Sequence, residues 1–151
     1  MKTYFIELFQ YNDWANEQLI EHIRFLEQPP ERCLRLISHI LSAQDMWMER
    51  IAGTHDWNIQ IWDLYTIQEC SLLSVQSSQQ WFKLIRKLKD KDYDKLIVYK
   101  NLNGNACETP IRQIITHVAQ HSTYHRGQIN LLLKQNNIPP VELDYIYYSR
   151  L

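Results

Sequence analysis

Punctuation is scarce in this sequence, with three glycines and five prolines in 151 residues. Long stretches therefore run without a helix-breaking residue, and most of them show helical periodicity. No apolar run of about eighteen residues occurs, so nothing reads as a membrane span. Positive charge is not in excess. Sixteen Lys and Arg against seventeen Asp and Glu leave a net charge of −1, which argues against a nucleic-acid surface built on bulk positive charge. Cys33, Cys70 and Cys107 are far apart, odd in number and without metal-type spacing. They read as reduced thiols rather than a disulfide framework. The opening Met1-Lys2-Thr3-Tyr4-Phe5 enters an amphipathic pattern interrupted by charges, unlike a signal peptide. A cytoplasmic protein is expected, as one domain over residues 1–151 without repeats, low-complexity tracts or linkers.

The densest chemistry lies in His117-Val118-Ala119-Gln120-His121-Ser122-Thr123-Tyr124-His125-Arg126-Gly127-Gln128, which holds three of the six histidines at four-residue steps. At about 100° per residue, His121 and His125 fall one turn apart on one helix face. Ile111, Ile114, Ile115, Val118, Ile129, Leu132 and Leu133 share that sector, while Arg112, Thr116, Thr123, Asn130 and Lys134 lie opposite. His117 falls about 40° further round, at the edge of the apolar stripe. An inward pair of imidazoles at this spacing suits a metal ion, because both rings can converge without bending the backbone. Two core histidines satisfied by hydrogen bonds would show the same pattern.

The rest of the chain reads as three more helices. Lys2 to about Leu26 carries Tyr4, Leu8, Tyr11, Ala15, Leu19 and Leu26 at spacings of three and four, widened by Phe5, Phe9 and Ile23. Asp13, Glu17, Glu21 and Arg24 take the other side, and His22 reads as a satisfied core histidine. Pro29-Pro30 separates this helix from the next. Glu31 to Ala52 turns Cys33, Leu36, Ile37, Ile40, Ala43, Trp47 and Ile51 inward, and Arg35, Ser38, Ser42, Asp45 and Glu49 outward. His39 sits on the flank of the inward face. Gly53 closes the helix, and residues 55–65 read as a packed loop in which His55 and Asp56 are solvated. Thr66-x-x-Glu69 is a capping box that starts a third helix, to about Leu88. Its face holds Ile67, Val75, Trp81, Phe82, Ile85 and Leu88, with Ser71, Ser74 and Ser78 in the middle. Leu96–Tyr99 and Ala106–Glu108 flank Asn103-Gly104, the signature of a short hairpin. Thr109-Pro110 reads as an N-cap with Pro at the first helical position, opening the histidine helix to about Gln135. The apolar tail Leu143–Tyr148 should dock on the helices. The expected fold is all-α, an antiparallel four-helix bundle with long connections after the second and third helices.

With the helices placed, the run His121-x-x-x-His125-Arg126-Gly127-Gln128-Ile129 resembles the signature of the DinB/YfiT-like metal-binding family. The likeness covers nearly the whole chain. It takes in Tyr11-Asn12-Asp13-Trp14-Ala15-Asn16 of the first helix and Leu36-Ile37-Ser38-His39-Ile40-Leu41-Ser42-Ala43 of the second. The Gly104 stretch and Thr109-Pro110 resemble the family's lead-in to its last helix. The resemblance implies up-down-down-up connectivity and one divalent metal ion held by His39, His121 and His125. His117 is assigned a supporting role, bonding to a ligand or touching substrate. Gly127 would permit close approach of a neighbouring helix. Arg126 and Gln128 would either brace neighbouring helices or orient an imidazole.

Three neutral imidazoles leave a dication's charge uncompensated and a coordination position open. The ion could be Zn, Ni, Fe or Mn. The wider family's likeness to thiol-dependent transferases implies S-transferase-like chemistry on electrophiles or stress products, with a low-molecular-weight thiol such as bacillithiol. A metal-activated hydrolase and a non-enzymatic stress-induced metal-binding bundle are the alternatives. A small-molecule substrate is expected, with no nucleic acid or membrane, and the aromatic content leaves room for a homodimer.

Overall fold

A computed structural model describes residues 1–54 and 60–151. The expectation for His55 and Asp56 lies outside the described residues. Four long helices, α1 (Lys2–Arg24), α2 (Glu31–Ala52), α3 (Ile67–Lys87) and α4 (Ile111–Gln135), form the molecule's frame. A 3-10 turn (Asp90–Asp94) and a hairpin of β1 (Leu96–Lys100) and β2 (Ala106–Pro110) connect α3 to α4. A short helix, α5 (Tyr145–Tyr148), ends the chain.

Local chemistry sets these boundaries. Gly53 closes α2 at φ 73, in the left-handed region that glycine enters without strain. The Thr66 hydroxyl accepts from the Glu69 amide, while the Glu69 carboxylate accepts from the Thr66 amide, completing the capping box of α3. Two expected details differ. Strand β2 extends through Pro110, so Pro110 caps α4 and Thr109 instead places its hydroxyl 3.1 Å from that of Tyr99. The hairpin turn is not a two-residue Asn103-Gly104 loop. It spans Asn101 to Asn105, with the Asn101 side chain accepting from the Asn103 and Asn105 amides and Gly104 at φ 79.

Around the bundle the order is α1, α3, α2, α4, so consecutive helices α1 and α2 sit on a diagonal. Side-chain pairs give the directions. Lys2 meets Arg86 and Phe9 meets Trp81, making α1 and α3 antiparallel. Ser38 meets Cys70 and Gln44 meets Ser77, making α2 and α3 parallel. His39 meets His121 and Trp47 meets His117, making α2 and α4 antiparallel. The connectivity is up-down-down-up. One apolar cluster, around Trp81, Ile114, Ile115 and Tyr93, fills the hairpin end of the bundle; another, around Ile23, Ile40, Ile129 and Leu133, fills the other. Burying a large apolar side chain contributes about 1.5–3 kcal/mol.

Several facing assignments shift. Tyr4 and Val75 are 59% and 48% exposed, so α1 packs through Phe5 and Phe9, and α3 through Cys70, Ser74, Ser77 and Trp81. Ser38 and Ser42 are buried, because α2 is covered on nearly all sides by α3, α4 and the loop before α3. His22 is half-buried and its Nε2 has no hydrogen-bond partner among the described residues. The tail docks as expected. Asn130 exchanges two hydrogen bonds with Val141, and the Tyr11 hydroxyl donates to the Leu143 carbonyl at 2.8 Å.

Candidate metal centre

Between the two apolar clusters, α2 and α4 bring His39, His121 and His125 together. His39 and His125 are buried and His121 is half-buried. The Nε2 of His121 lies 3.1 Å from the Nε2 of His39 and 3.1 Å from that of His125. The outer nitrogens are held. His39 Nδ1 is 2.7 Å from the Ile61 carbonyl, and His125 Nδ1 is 2.8 Å from the Gln128 side-chain oxygen. An oxygen acceptor at Nδ1 puts the ring proton there, which leaves Nε2 as a lone pair. Two such lone pairs therefore face the third ring, and at most one proton, from His121, can lie among the three nitrogens.

That donor set fits a cation. Zinc–nitrogen bonds of about 2.0–2.1 Å would set ligand nitrogens about 3.3 Å apart in a tetrahedron and about 2.9 Å apart in an octahedron. The observed 3.1 Å falls between the two. Burial, reinforced by repulsion from His125, His39 and His117, pushes the His121 imidazole down to about 3. Burial also lowers His39, against the opposing effect of its bond to Ile61. Both rings are thus neutral at pH 7, the form that ligates. Trp62 lies flat on His39, with centroids 3.8 Å apart and planes 4° apart, and covers that side of the cluster.

The cluster opens on a cleft of about 410 Å³. His39 and His121 line its floor, and Trp47, Arg50, Trp62 and His117 are among its walls. His117 makes no hydrogen bond to the other histidines among the described residues; its ring stands edge-on to Trp47, 5.3 Å away, and 5.5 Å from that of His121. Of its two expected roles, the position in the cleft is the one the geometry matches. A larger cleft of about 690 Å³ lies where α4 meets the tail, bordered by Arg126, Asn130, Lys134 and Val141. No member of the triad lines it, so the smaller cleft is the one placed for chemistry.

The structure also separates Arg126 from Gln128. Arg126 is 2% exposed and reaches across to α1. It donates at 2.8 Å to the side-chain oxygens of Asn12, Asn16 and Thr123, and lies 5.4 Å over the Tyr11 ring. Asn12 in turn donates to Gln44, which donates to Ser77. This network ties α1, α2, α3 and α4 together; its role is to brace helices. Gln128 orients an imidazole. Gly127 meets no close neighbour: a Cβ there would have nothing within 4 Å, so the expected helix approach is absent. Sequence reasoning missed Asn12, Asn16 and Gln44, although Asn12 and Asn16 sit one turn apart amid the apolar stripe of α1. It also missed Trp62 and Arg50.

Among known families, the DinB family matches residues 1–151. The chain belongs to the DinB family. Protein DinB of Bacillus subtilis (strain 168) is 24% identical over 165 aligned positions, covering 98% of this chain and 95% of the relative. The uncharacterized protein YizA of the same organism is 22% identical over 116 positions, covering 77% of this chain and 72% of YizA. A DinB-like protein from Bacillus cereus ATCC 10987 superposes with a TM-score of 0.66 at 14% identity, over 91% of this chain and 94% of that one. That likeness supports the DinB fold, as the helix order had indicated. No helix among the described residues is long and apolar enough to cross a membrane.

Proposed function

We propose that this DinB-family chain is a metal-dependent enzyme, in which His39, His121 and His125 hold one divalent ion and the cleft above them holds a thiol and an electrophile. The observation that carries the reading is the convergence of three Nε2 atoms, two with their outer nitrogens pinned, beside an open cleft that His39 and His121 line. A structural site would be closed by a fourth protein ligand, and the described residues bring no fourth His, Cys, Asp or Glu into the group.

Deprotonating a thiol of pKa about 8.5 at neutral pH costs about 2 kcal/mol. A bound dication supplies this by favouring the thiolate. The residues of the chain do the remainder. Ile61 and Gln128 fix the rings so that the open side faces the cleft. Trp47 and Trp62 offer flat apolar walls against which an electrophile can lie. In the transfer, the thiol sulfur forms a bond to the electrophilic carbon, the carbon–halogen bond of a haloaromatic breaks, and halide departs with the bonding pair. The thiol proton leaves through the cleft mouth to solvent. A thiol such as bacillithiol is the proposed cofactor, and the metal is Zn, Ni, Fe or Mn.

The test is consumption of a chlorodinitrobenzene by protein of measured metal content, with and without bacillithiol, glutathione or coenzyme A. Turnover that needs both metal and thiol, and that disappears in His121→Ala together with stoichiometric metal, supports the reading. Full metal occupancy in a His39→Ala, His125→Ala double variant would refute the triad. Metal-dependent hydrolysis of an ester without thiol would replace transfer by the hydrolase.

A further inference from the structure

The triad's cleft contains a cation that the metal reading does not use. Arg50 is 7% exposed, yet it borders the cleft with His117 and His121. Its guanidinium lies in the corner made by two aromatic rings, 4.5 Å from the Trp47 centroid and 4.7 Å from the Tyr99 centroid, the two rings standing edge-on to each other with centroids 5.0 Å apart. One Nη2 bond runs to the Lys100 carbonyl at 3.2 Å, and the buried Nε has no partner. Among the described residues the ion pairs are Arg24–Glu21, Arg35–Glu31 and Arg112–Asp94, and none includes Arg50.

This is an unusual place for an arginine. Its Nε–H is withdrawn from water without a partner, and the described residues supply the guanidinium's five donors with one carbonyl. A buried charge ordinarily has a counter-charge or a full set of hydrogen bonds. Both rings lie to one side of the guanidinium, and its planar N–H fork matches a carboxylate through two parallel N–H···O bonds.

We propose that Arg50 forms a carboxylate-binding subsite in the cleft, so that the molecule turned over at the histidines carries a carboxylate remote from its reacting atom. This rests on the metal reading for what is turned over, but not for the binding itself. The spacing sets the ligand's length. His39 and Arg50 are eleven residues apart on α2, about 16 Å along the axis. An arginine side chain leaning back toward its helix N-terminus takes up about 6 Å of this. The carboxylate thus sits about 10 Å from the reacting atom, with Trp47 and His117 between them. An elongated acid meets that requirement, and a compact one such as acetate does not. The same carboxylate could belong to the thiol or to the electrophile.

Benzoate, with benzamide as its uncharged counterpart, is the probe. Metal-free protein carrying 15N-labelled arginine is titrated with each, and the Arg50 Nε–H resonance is followed. Benzoate should move that resonance saturably and benzamide should leave it in place. Arg50→Met should abolish the preference for benzoate, and Arg50→Lys should weaken binding by at least tenfold. Because the resonance is read in the unaltered protein, misfolding of a variant does not remove the test. An unmoved Arg50 signal, equal responses to the two probes, or benzoate binding only when zinc is added would overturn the proposal. Failure of the metal reading would instead appear as loss of zinc binding with benzoate binding intact. In zinc-loaded protein, 8-mercaptooctanoate against octanethiol tests a carboxylate on the thiol. 4′-Chloro-3′-nitrobiphenyl-4-carboxylate against 4′-chloro-3′-nitrobiphenyl, with a neutral thiol, tests one on the electrophile. The acid member should show at least a tenfold lower KM in one pair, and in neither if the subsite is not used in turnover.

Discussion

Replacing Gln128 with leucine removes one acceptor oxygen, 2.8 Å from His125 Nδ1, and little else. Gln128 is half-buried and, among the described residues, its side chain bonds to that ring alone. Without the acceptor, His125 is free to carry its proton on either nitrogen and to rotate, so the Nε2 lone pair no longer points steadily at the other two rings. Removing such a partner of a ligating histidine typically weakens metal binding by about 10–100-fold, or about 1.4–2.7 kcal/mol. The fold should hardly notice. A single neutral hydrogen bond contributes about 1 kcal/mol, which moves the Tm of a chain this size by about 2–4 °C. Competition against a chelator of known zinc affinity reads the first quantity, and circular-dichroism melting of metal-free protein reads the second. Gln128→Glu, which keeps an acceptor at the same place, should bind zinc at least as tightly as the parent. Unchanged zinc affinity in Gln128→Leu would refute the claim that this side chain sets the ring's tautomer. So would a weakening that merely tracks a large drop in Tm.

Other outcomes follow from the same geometry. His117→Gln should leave zinc affinity within about threefold, since His117 bonds to no ligand, while lowering metal-dependent turnover; a loss of zinc would return it to the metal's surroundings. Arg126→Met should destabilise the protein by about 3 kcal/mol, because two buried asparagine oxygens lose a charged donor, offset in part by no longer burying that charge. Urea unfolding measures it, and an unchanged midpoint would show the network to be idle. Acid should destabilise the metal-free protein. His121 is depressed from 6.5 to about 3 in the folded state, so stability is complete above about pH 6.5 and falls as the unfolded chain alone takes up a proton. Discounted for the solvent that reaches a half-buried ring, the loss is worth about 2 kcal/mol by about pH 4. Urea midpoints that do not fall between pH 7 and 4 would contradict this.

The four helices were legible because the sequence marks their ends chemically. Pro29-Pro30, Gly53 and the Thr66–Glu69 box act within a few residues, so local reasoning reaches them. The His121–His125 pair was legible for the same reason, being one turn apart. What it meets was less so. Wheel logic permitted His39 but did not require it, and the resemblance supplied it before the structure brought the rings together. The buried polar residues escaped because periodicity sorts residues by type. Ser38 and Ser42 read as outward on a helix assumed to have one wet side, whereas α2 has almost none. Val75 and Tyr4 failed in the opposite sense, as apolar residues left outside the contact of α1 with α3. Trp62 and Arg50 reach the cleft through long-range packing that no local spacing encodes.

The diagonal placement of α1 and α2 has a consequence for the order of events in folding. His39 and His121 are 82 positions apart, and the whole of α3 and the hairpin lie between them. An ion joining them would tie off a loop that size, a contact that forms late because its closure entropy must first be overcome by the helices in between. An interaction absent from the transition state leaves the folding rate alone and slows unfolding. Zinc should therefore act as a latch on a finished bundle, lengthening the native protein's lifetime in denaturant while leaving its refolding rate where it was.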